Sequence, residues 1–424
     1  MRLSGRTNGK RILIAFACYA ILIAIYVWYT SPNDVPEAYR GTAADPATYF
    51  PPERLKDSET LNAARNFIFF LSGPWEWLIY FWMLASGLAE KWRERLERRN
   101  WPIYARFPVF VLLVHGAAFL LYFPLRIAGY SLSKSFGIST QPVVGWLKDK
   151  LIDFGVGYVT LLAVSAVAFW IVSKGGRWWL KLWLLSVPFT LFMMYVQPVV
   201  IDPLYNKFSP LADSALEERI LALADKADIP ADRVYEVDMS EKTNALNAYV
   251  NGIGSSLRIV LWDTTLERLD EPEILHIMAH EMGHYVMRHL EWSAVGAVGS
   301  SFALLLLGSR IYEAAIRRRG KRWGIRSASD MTALPLALLI LTLLSFAALP
   351  ASNFVSRQAE AAADRYALEL IGSAEGAVTM NQKMAVAALS DAHPPLLVKW
   401  FRDTHPSDLE RIRDAYAFDR TTAK

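Results

Sequence analysis

The residues with the most evident chemistry lie in the stretch AHEMGH, where His280, Glu281 and His284 form the pattern H-E-x-x-H. On a helix, two histidines four positions apart project from the same face and can direct their imidazole nitrogens to one point. Neutral imidazole suits zinc, and a catalytic zinc keeps an open position for water. Glu281 is the predicted general base, taking a proton from zinc-bound water whose pKa the metal lowers toward about 7. The pattern predicts a hydrolytic site with one Zn²⁺ ion.

A third protein ligand is required, and Glu360 in the stretch SRQAEAAADRYA is the best candidate. Two histidines, one glutamate and a water molecule form the zinc site of several metallopeptidases. Asp364 follows Glu360 at i+4 on the same helix face, where it can accept the spare N–H of a ligating histidine and fix the ring. Alternatively, an amphipathic helix carries the histidines and glutamate for solubility. The two motifs together favour the zinc site.

Three other histidines are predicted not to bind the metal. His276 lies one turn before His280, and a solvated or supporting role is expected for it. His289 does not complete a metzincin motif, because that motif requires glycine where Met287 stands and histidine where Leu290 stands. His115 lies within an apolar run and is expected to be a packed, hydrogen-bonded histidine.

The helix that carries H-E-x-x-H has a clear start. Asp270, Pro272 and Glu273 form an aspartate-type capping box with proline in the first turn, which predicts a helix beginning near Glu271. The second motif is predicted on a separate helix from Asn353 to Ile371, ended by Gly372. Between residues 200 and 292, the periodicity and β-branched content predict one more helix and three short strands. These are 214–227, 233–239, 245–252 and 257–263, respectively.

The chain is too apolar for an ordinary soluble protein: 53% of its residues are hydrophobic and its mean hydropathy is positive. Seven apolar runs approach the length that crosses a bilayer, and a polar loop is predicted at 30–66. The runs are 12–29, 67–89, 108–127, 154–172, 178–199, 293–312 and 331–350. The lone cysteine, Cys18, excludes a disulfide framework, and a net charge of +4 gives no indication of nucleic-acid binding.

The predicted fold class is mainly α, a polytopic membrane protein of about seven transmembrane helices with a small α/β zinc domain. Its predicted divisions fall into four parts. These are five transmembrane helices with loops at 1–199, the zinc peptidase segment at 200–292, a transmembrane hairpin at 293–350, and the third-ligand helix with the rest of the zinc domain at 351–424.

Basic residues are concentrated in four short segments, 1–11, 90–106, 174–181 and 310–326. With seven spans, all four fall on one side of the membrane, which the positive-inside rule makes cytoplasmic. The loop at 30–66, a loop near 130–152, the zinc segment and the C-terminal segment then lie outside. The predicted location is a bacterial inner membrane with the zinc site facing the periplasm.

The chain resembles the zinc-dependent CAAX prenyl protease type I family, membrane metalloendopeptidases of the gluzincin type. The ordered motifs that carry the resemblance are FGISTQ (136–141), DPLYNKFSPL (202–211), NAYVNG (247–252), RIVLWDTTL (258–266), AHEMGH (279–284), SRQAEAAAD (356–364) and THPSDLERI (404–412). The chain departs from the family pattern before NAY, where it reads EKTNAL (241–246), and at His276, where the family has a small residue.

The resemblance implies roles for residues that spacing alone does not assign. It implies that Asn247, Ala248 and Tyr249 belong to an edge strand on which an extended polypeptide substrate pairs through its main chain. His405 is similar to the family histidine that holds the substrate carbonyl and its developing oxyanion. It also supports His280, His284 and Glu360 as zinc ligands, Glu281 as base and Asp364 as supporting carboxylate.

The resulting prediction is an integral-membrane zinc endopeptidase that uses Glu-activated, zinc-bound water. One rival is a non-proteolytic membrane scaffold or transporter that retains the fold. A second is an intramembrane-cleaving protease, but the charged residues Glu271, Glu273, Arg288 and Glu291 around H-E-x-x-H favour a site outside the hydrocarbon region. The expected partners are a polypeptide substrate and the lipid bilayer.

Overall fold

The protein is mainly helical in the computed structural model, which describes residues 3–30, 35–251 and 257–422. In chain order, the α-helices are α1 (Leu3–Tyr29), α2 (Pro46–Tyr49), α3 (Pro52–Ala85), α4 (Leu88–Glu97), α5 (Ile103–Ser135), α6 (Val143–Ser173), α7 (Trp178–Val196), α8 (Asp202–Tyr205), α9 (Ser214–Lys226), α10 (Asp263–Arg268), α11 (Glu271–Val286), α12 (His289–Arg319), α13 (Leu334–Ile371), α14 (Glu375–Ala388), α15 (Leu396–Phe401) and α16 (Asp408–Thr422). Met1 and Arg2 of the first basic segment, residues 31–34 of the predicted loop and Gly252 of the second predicted strand lie outside the described residues.

Six of these helices are long and apolar enough to cross a bilayer as single helices, namely α1, α3, α5, α6, α12 and α13. A seventh span is formed when α7 is taken together with the segment Gln197–Tyr205, which is bent by 41° relative to it. A π-helical turn at Gln197–Ile201, which contains Pro198, occupies the bend. The prediction of about seven transmembrane helices is confirmed, with one span bent.

The segment between α7 and α12 contains a four-stranded sheet. Its strands are β1 (Phe208–Pro210), β2 (Val234–Val237), β3 (Ala248–Asn251) and β4 (Arg258–Trp262), in the order β1-β2-β4-β3. β2 and β4 are parallel, and the outer strands are antiparallel to their neighbours. The three predicted strands are confirmed. β1 was not predicted, because three residues ending in Pro210 give too short a pattern, and proline is tolerated on such an edge strand.

The predicted loop at 30–66 is wrong over its second half, because α3 begins at Pro52. Two polar residues of this part of α3, Ser58 and Asn62, are buried against the turn that follows α14, where they bond to backbone carbonyls. Asn62 Nδ2 donates to Leu389 O at 2.7 Å, and Ser58 Oγ donates to Ser390 O at 2.7 Å. The loop near 130–152 likewise shrinks to residues 136–142, since α5 and α6 extend beyond the apolar runs.

The separate helix predicted from Asn353 is also wrong in its start, because α13 runs unbroken from Leu334 to Ile371 through Pro350. Proline removes one helical hydrogen bond, but a chain that left the helix here would expose many backbone groups that lipid cannot satisfy. The predicted end is confirmed, with Gly372 at a left-handed φ of 80°. One continuous helix therefore joins the last membrane span to the residues of the second motif.

Contacts among three of the basic segments place them on one side of the helix bundle. Arg93 of α4 donates to Gly324 O at 2.6 Å and pairs with Asp330 at 2.7 Å, both in the connection between α12 and α13. Trp178 Nε1 at the start of α7 donates to Glu313 Oε1 near the end of α12 at 3.0 Å. Three of the four basic segments therefore meet at one end of the spans.

Candidate metal centre

Two local features position α11: a capping box defines its first residue, and a glycine in its last turn allows close contact with α13. Asp270 and Glu273 form the predicted capping box, with Asp270 N donating to Glu273 Oε2 at 2.8 Å. Gly283 allows the close approach to α13: a Cβ at this position would lie 3.3 Å from Ala363 Cα and 3.0 Å from Tyr366 Cδ1. The missing side chain brings the H-E-x-x-H face against the helix that carries Glu360.

Three side-chain atoms converge between these two helices. His280 Nε2 lies 3.1 Å from His284 Nε2 and 3.2 Å from Glu360 Oε2, and His284 Nε2 lies 3.6 Å from the same oxygen. Glu360 Oε2 is buried and has no hydrogen-bond partner. Two ring nitrogens and a carboxylate oxygen at these separations present lone pairs to one another, which repel unless a proton or a cation lies between them. The arrangement is suited to a metal ion.

Behind His280, a carboxylate and a guanidinium form a charged chain. Asp364 Oδ1 lies 2.8 Å from His280 Nδ1, and Arg411 grips Asp364 with two bonds, Nε to Oδ2 at 2.9 Å and Nη2 to Oδ1 at 2.6 Å. Burial by itself lowers the pKa of His280, but the Asp364 carboxylate outweighs burial and raises this pKa to about 10. The field around His280 thus strongly favours positive charge, which a bound cation can supply.

Glu281 lies beside the convergence point without joining it. Its Oε1 is 4.0 Å from His280 Nε2, and its side chain is only 19% exposed. Burial raises the pKa of the Glu281 carboxyl, while the neighbouring His280 and His284 oppose the rise. A carboxylate of raised pKa is a better proton acceptor than one in water, which suits a general base.

His405 is brought to the same place from the segment between α15 and α16. Its Nε2 lies 3.3 Å from Glu360 Oε2, its Nδ1 lies 2.9 Å from Thr404 Oγ1, and its side chain is 56% exposed. Arg357 of α13 holds this segment by donating to Lys399 O at 2.6 Å and Asp403 O at 2.7 Å. The exposed His405 ring therefore lies on the solvent side of the three converging atoms, where a substrate can reach it.

The three histidines that were predicted not to bind the metal lie outside the group of converging ligand atoms. The solvated role considered for His276 is wrong, because His276 is 3% exposed and burial lowers its pKa to about 4. His289 Nδ1 lies 2.9 Å from His284 Nδ1, behind the nitrogen that faces Glu360, so it is placed to orient that ring. The left-handed residue Arg288, with φ 55°, turns the chain sharply between α11 and α12 and sets this contact. His115 packs as expected, with Nε2 3.1 Å from Phe154 O.

Asn247, Ala248 and Tyr249 lie at the start of β3, the end strand of the sheet as far as the structure describes it. Ala248 is buried in the core shared with Ile277 and Met278 of α11, so this strand runs alongside the H-E-x-x-H helix. Thr265 Oγ1 receives the Asn247 N–H at 2.8 Å and donates to Asn247 O at 2.7 Å. The unpaired edge of β3 can accept another strand.

Comparisons with known proteins identify the family of the chain. The family model described as Peptidase family M48 matches residues 210–418, and the model described as CAAX prenyl protease N-terminal, five membrane helices, matches residues 26–207. The chain is 43% identical, over 95% of its own length and 95% of the relative, to the "Uncharacterized metalloprotease YhfN" of Bacillus subtilis. The chain belongs to peptidase family M48.

Two further similarities extend this assignment. A "CAAX prenyl protease 1 homolog" of Dictyostelium discoideum is 32% identical, covering 69% of this chain and 68% of that protein. The crystal structure of S. mikatae Ste24p shares the fold with a TM-score of 0.76 at 22% identity, covering 96% of this chain and 98% of that one. The resemblance drawn from the motifs is confirmed, and this M48 chain is a membrane metalloprotease. The similarity to a bacterial protein supports a bacterial origin.

The M48 assignment implies a metal ion, and His280, His284 and Glu360 are a group in the described chain that can hold one. Sequence reasoning assigned no role to Arg411, although this residue lies within the motif THPSDLERI. A basic residue in the first turn of α16 gives no signal of its own, since its partner Asp364 is 47 positions away. His289 was set aside as a ligand, and its contact with His284 depends on the turn at Arg288.

Proposed function

We propose that this M48 protease is a zinc endopeptidase in which His280, His284 and Glu360 hold the metal and Glu281 is the general base. The observation that carries the proposal is the convergence of three ligand atoms between α11 and α13, with the Glu281 carboxylate beside them. Tetrahedral ligands at zinc distances of 2.0–2.1 Å lie roughly 3.3 Å apart. The observed separations of 3.1, 3.2 and 3.6 Å bracket that value.

Zinc at this position would supply Lewis acidity, lowering the pKa of a bound water and polarising the peptide carbonyl. The protein's own groups then move the protons. Glu281 accepts a proton from the attacking water as its oxygen bonds to the carbonyl carbon, and delivers that proton to the leaving nitrogen as the C–N bond breaks. Asp364 and Arg411 hold the His280 ring from behind.

The substrate is proposed to be an extended polypeptide segment that adds to the free edge of β3, along Asn247, Ala248 and Tyr249. Main-chain hydrogen bonds from an edge strand bind a peptide without regard to its sequence and fix its direction. His405 is the proposed donor to the carbonyl oxygen of the scissile bond. When the Thr404 hydroxyl donates to Nδ1, Nε2 carries the proton and can donate it to the carbonyl oxygen on which negative charge develops.

Removal of the third ligand tests the metal assignment. We expect the full chain, purified in detergent, to hold about one zinc per molecule, and Glu360→Gln to reduce this content toward zero because an amide is a poor zinc ligand. The matched control is Glu369→Gln, an exposed glutamate on the same helix. Elemental analysis after dialysis measures the content. Full zinc retention by Glu360→Gln would remove Glu360 from the ligand set.

We further propose that the metal centre faces the periplasm. The support is that three of the four basic segments meet at one end of the spans, while α11 and the end of α13 lie at the other. In this orientation, the substrate is a membrane or exported polypeptide rather than a cytoplasmic one.

A reporter enzyme that is active only outside the cytoplasm tests the orientation. Fused to the C-terminus, it is expected to be active, and fused after Gly324 in a truncated chain, it is expected to be inactive, since that position lies among the basic segments. Immunoblots confirm equal expression of both fusions. The opposite pattern of activity would place the metal centre in the cytoplasm.

A further inference from the structure

A cavity of about 350 Å³ lies on one face of the sheet, next to the strand proposed to bind substrate. Side chains alternate between the two faces of a strand. Ala248 and Leu261 face the core beside α11, so Tyr249 and Trp262 face the other way and line the cavity. Asp202 and Asn206, from the stretch DPLYN that the proposed mechanism does not use, complete its wall.

The polar atoms of this cavity include acceptors without partners. Asn206 Oδ1 is buried and has no hydrogen-bond partner. The Asp202 carboxylate forms no salt bridge within the part of the chain that the structure describes. Its charge is felt across the cavity, because burial and then the Asp202 carboxylate raise the pKa of the Tyr249 phenol to about 12. Among the described residues, neither acceptor has a donor from the protein.

The surroundings of the cavity favour a cation over a neutral donor. Burial and the carboxylates of Glu241 and Asp263 raise the pKa of Asp238, which follows the cavity residue Val237, and they outweigh the opposing charge of Lys207. Arg258 lies 5.7 Å over the Tyr235 ring and does not line the cavity, and its charge only partly opposes the rise in the pKa of Tyr249. The rings of Tyr249 and Trp262 can also contact a cation through their faces. The apolar side chains of the cavity can pack against the methylene groups of a lysine or arginine side chain.

The register of an added strand connects the cavity with the substrate. Residues directly opposite one another on paired strands present their side chains on the same face. A substrate residue opposite Tyr249 on the free edge of β3 therefore directs its side chain to the cavity's face of the sheet. We propose, on the basis of the proposed endopeptidase function, that this cavity is a specificity subsite for a lysine or arginine side chain of the extended substrate.

The test is a set of peptides that share one scissile bond and differ in the position of a single lysine, each matched by a peptide with leucine at that position. We expect the purified full chain to show, at one position, a kcat/KM for the lysine peptide about tenfold above that for its leucine partner, as charge-assisted hydrogen bonds allow. Asp202→Asn is expected to remove most of this preference. Asp202→Lys is expected to invert it toward a glutamate peptide.

Asp232→Asn is the matched control, because Asp232 is an exposed acid in the same domain, before β2. It should keep the wild-type ratio of lysine to leucine peptide. Cleavage with no lysine preference at any position, or a preference that Asp202→Asn leaves intact, overturns the subsite while the peptidase function stands. Absence of zinc-dependent cleavage of every peptide overturns the proposed function itself, and the subsite with it.

Discussion

Glu281→Gln is expected to lower kcat for peptide hydrolysis by about 10²–10⁴-fold, the usual contribution of a general base. The substitution keeps the size of a side chain that is only 19% exposed, so the packing of α11 is preserved. An amide cannot accept the proton of the attacking water, which is why turnover falls while the metal ligands remain. Initial rates on a fluorogenic peptide and zinc content of the same samples measure the two effects separately.

The zinc measurement decides how a loss of activity is interpreted. Retained zinc with lost turnover assigns Glu281 to proton transfer, whereas parallel loss of both would assign it to metal binding. Glu291→Gln, at an exposed position early in α12, is the control and should behave as wild type. Turnover by Glu281→Gln within a few fold of wild type would remove Glu281 from the mechanism.

The elements that carry the site could be predicted because their signals are local. The capping box at Asp270 and Glu273 fixes the start of α11, and helical spacing alone places His280 and His284 on one face. The pairing of these residues with Glu360 followed from ligand chemistry and from the family motifs. The membrane spans could be predicted from seven apolar runs, because the thickness of the bilayer sets the length that a spanning helix needs.

The features that could not be predicted depend on contacts between residues that are far apart in the sequence. The helical start of α3 was missed because the polar stretch at 30–66 was interpreted as a loop, whereas Ser58 and Asn62 within it bond to carbonyls more than 300 positions away. The continuity of α13 through Pro350 depends on a membrane environment that penalises a broken helix. His276 is buried because α11 is covered on most of its surface, which its polar character does not indicate.

The continuity of α13 also explains how the site is held. Its membrane half packs with α3 and α12, and its outer half supplies Glu360, Asp364 and the Arg357 that anchors the His405 segment. A rigid helix transmits position over its length better than a loop does. The positions of the proposed metal ligand, the proposed supporting carboxylate and the proposed oxyanion donor are therefore all set by α13.

Arg411→Met is expected to cause the largest loss of stability among single changes at this site. It removes both bonds to Asp364 and leaves a carboxylate beside His280 without its counter-charge. Breaking such a pair by removing one partner costs about 3–5 kcal/mol. Zinc affinity should also fall about 10–100-fold, because Asp364 no longer has a fixed position behind the ligating ring. Thermal unfolding in detergent and zinc titration against a chelator measure the two losses.

Two further variants separate charge from geometry. Arg411→Lys keeps the charge but replaces a two-bond fork with a single point of contact, so it should recover part of the stability and less of the zinc affinity. The double variant Arg411→Met with Asp364→Leu removes both charges and should recover stability without recovering zinc affinity, because the His280 ring is then free to turn. Arg413→Met, two positions on and exposed, is the control. Equal zinc affinity in wild type and Arg411→Met would show that Asp364 holds His280 without the guanidinium, and that the fork serves only the docking of α16 on α13.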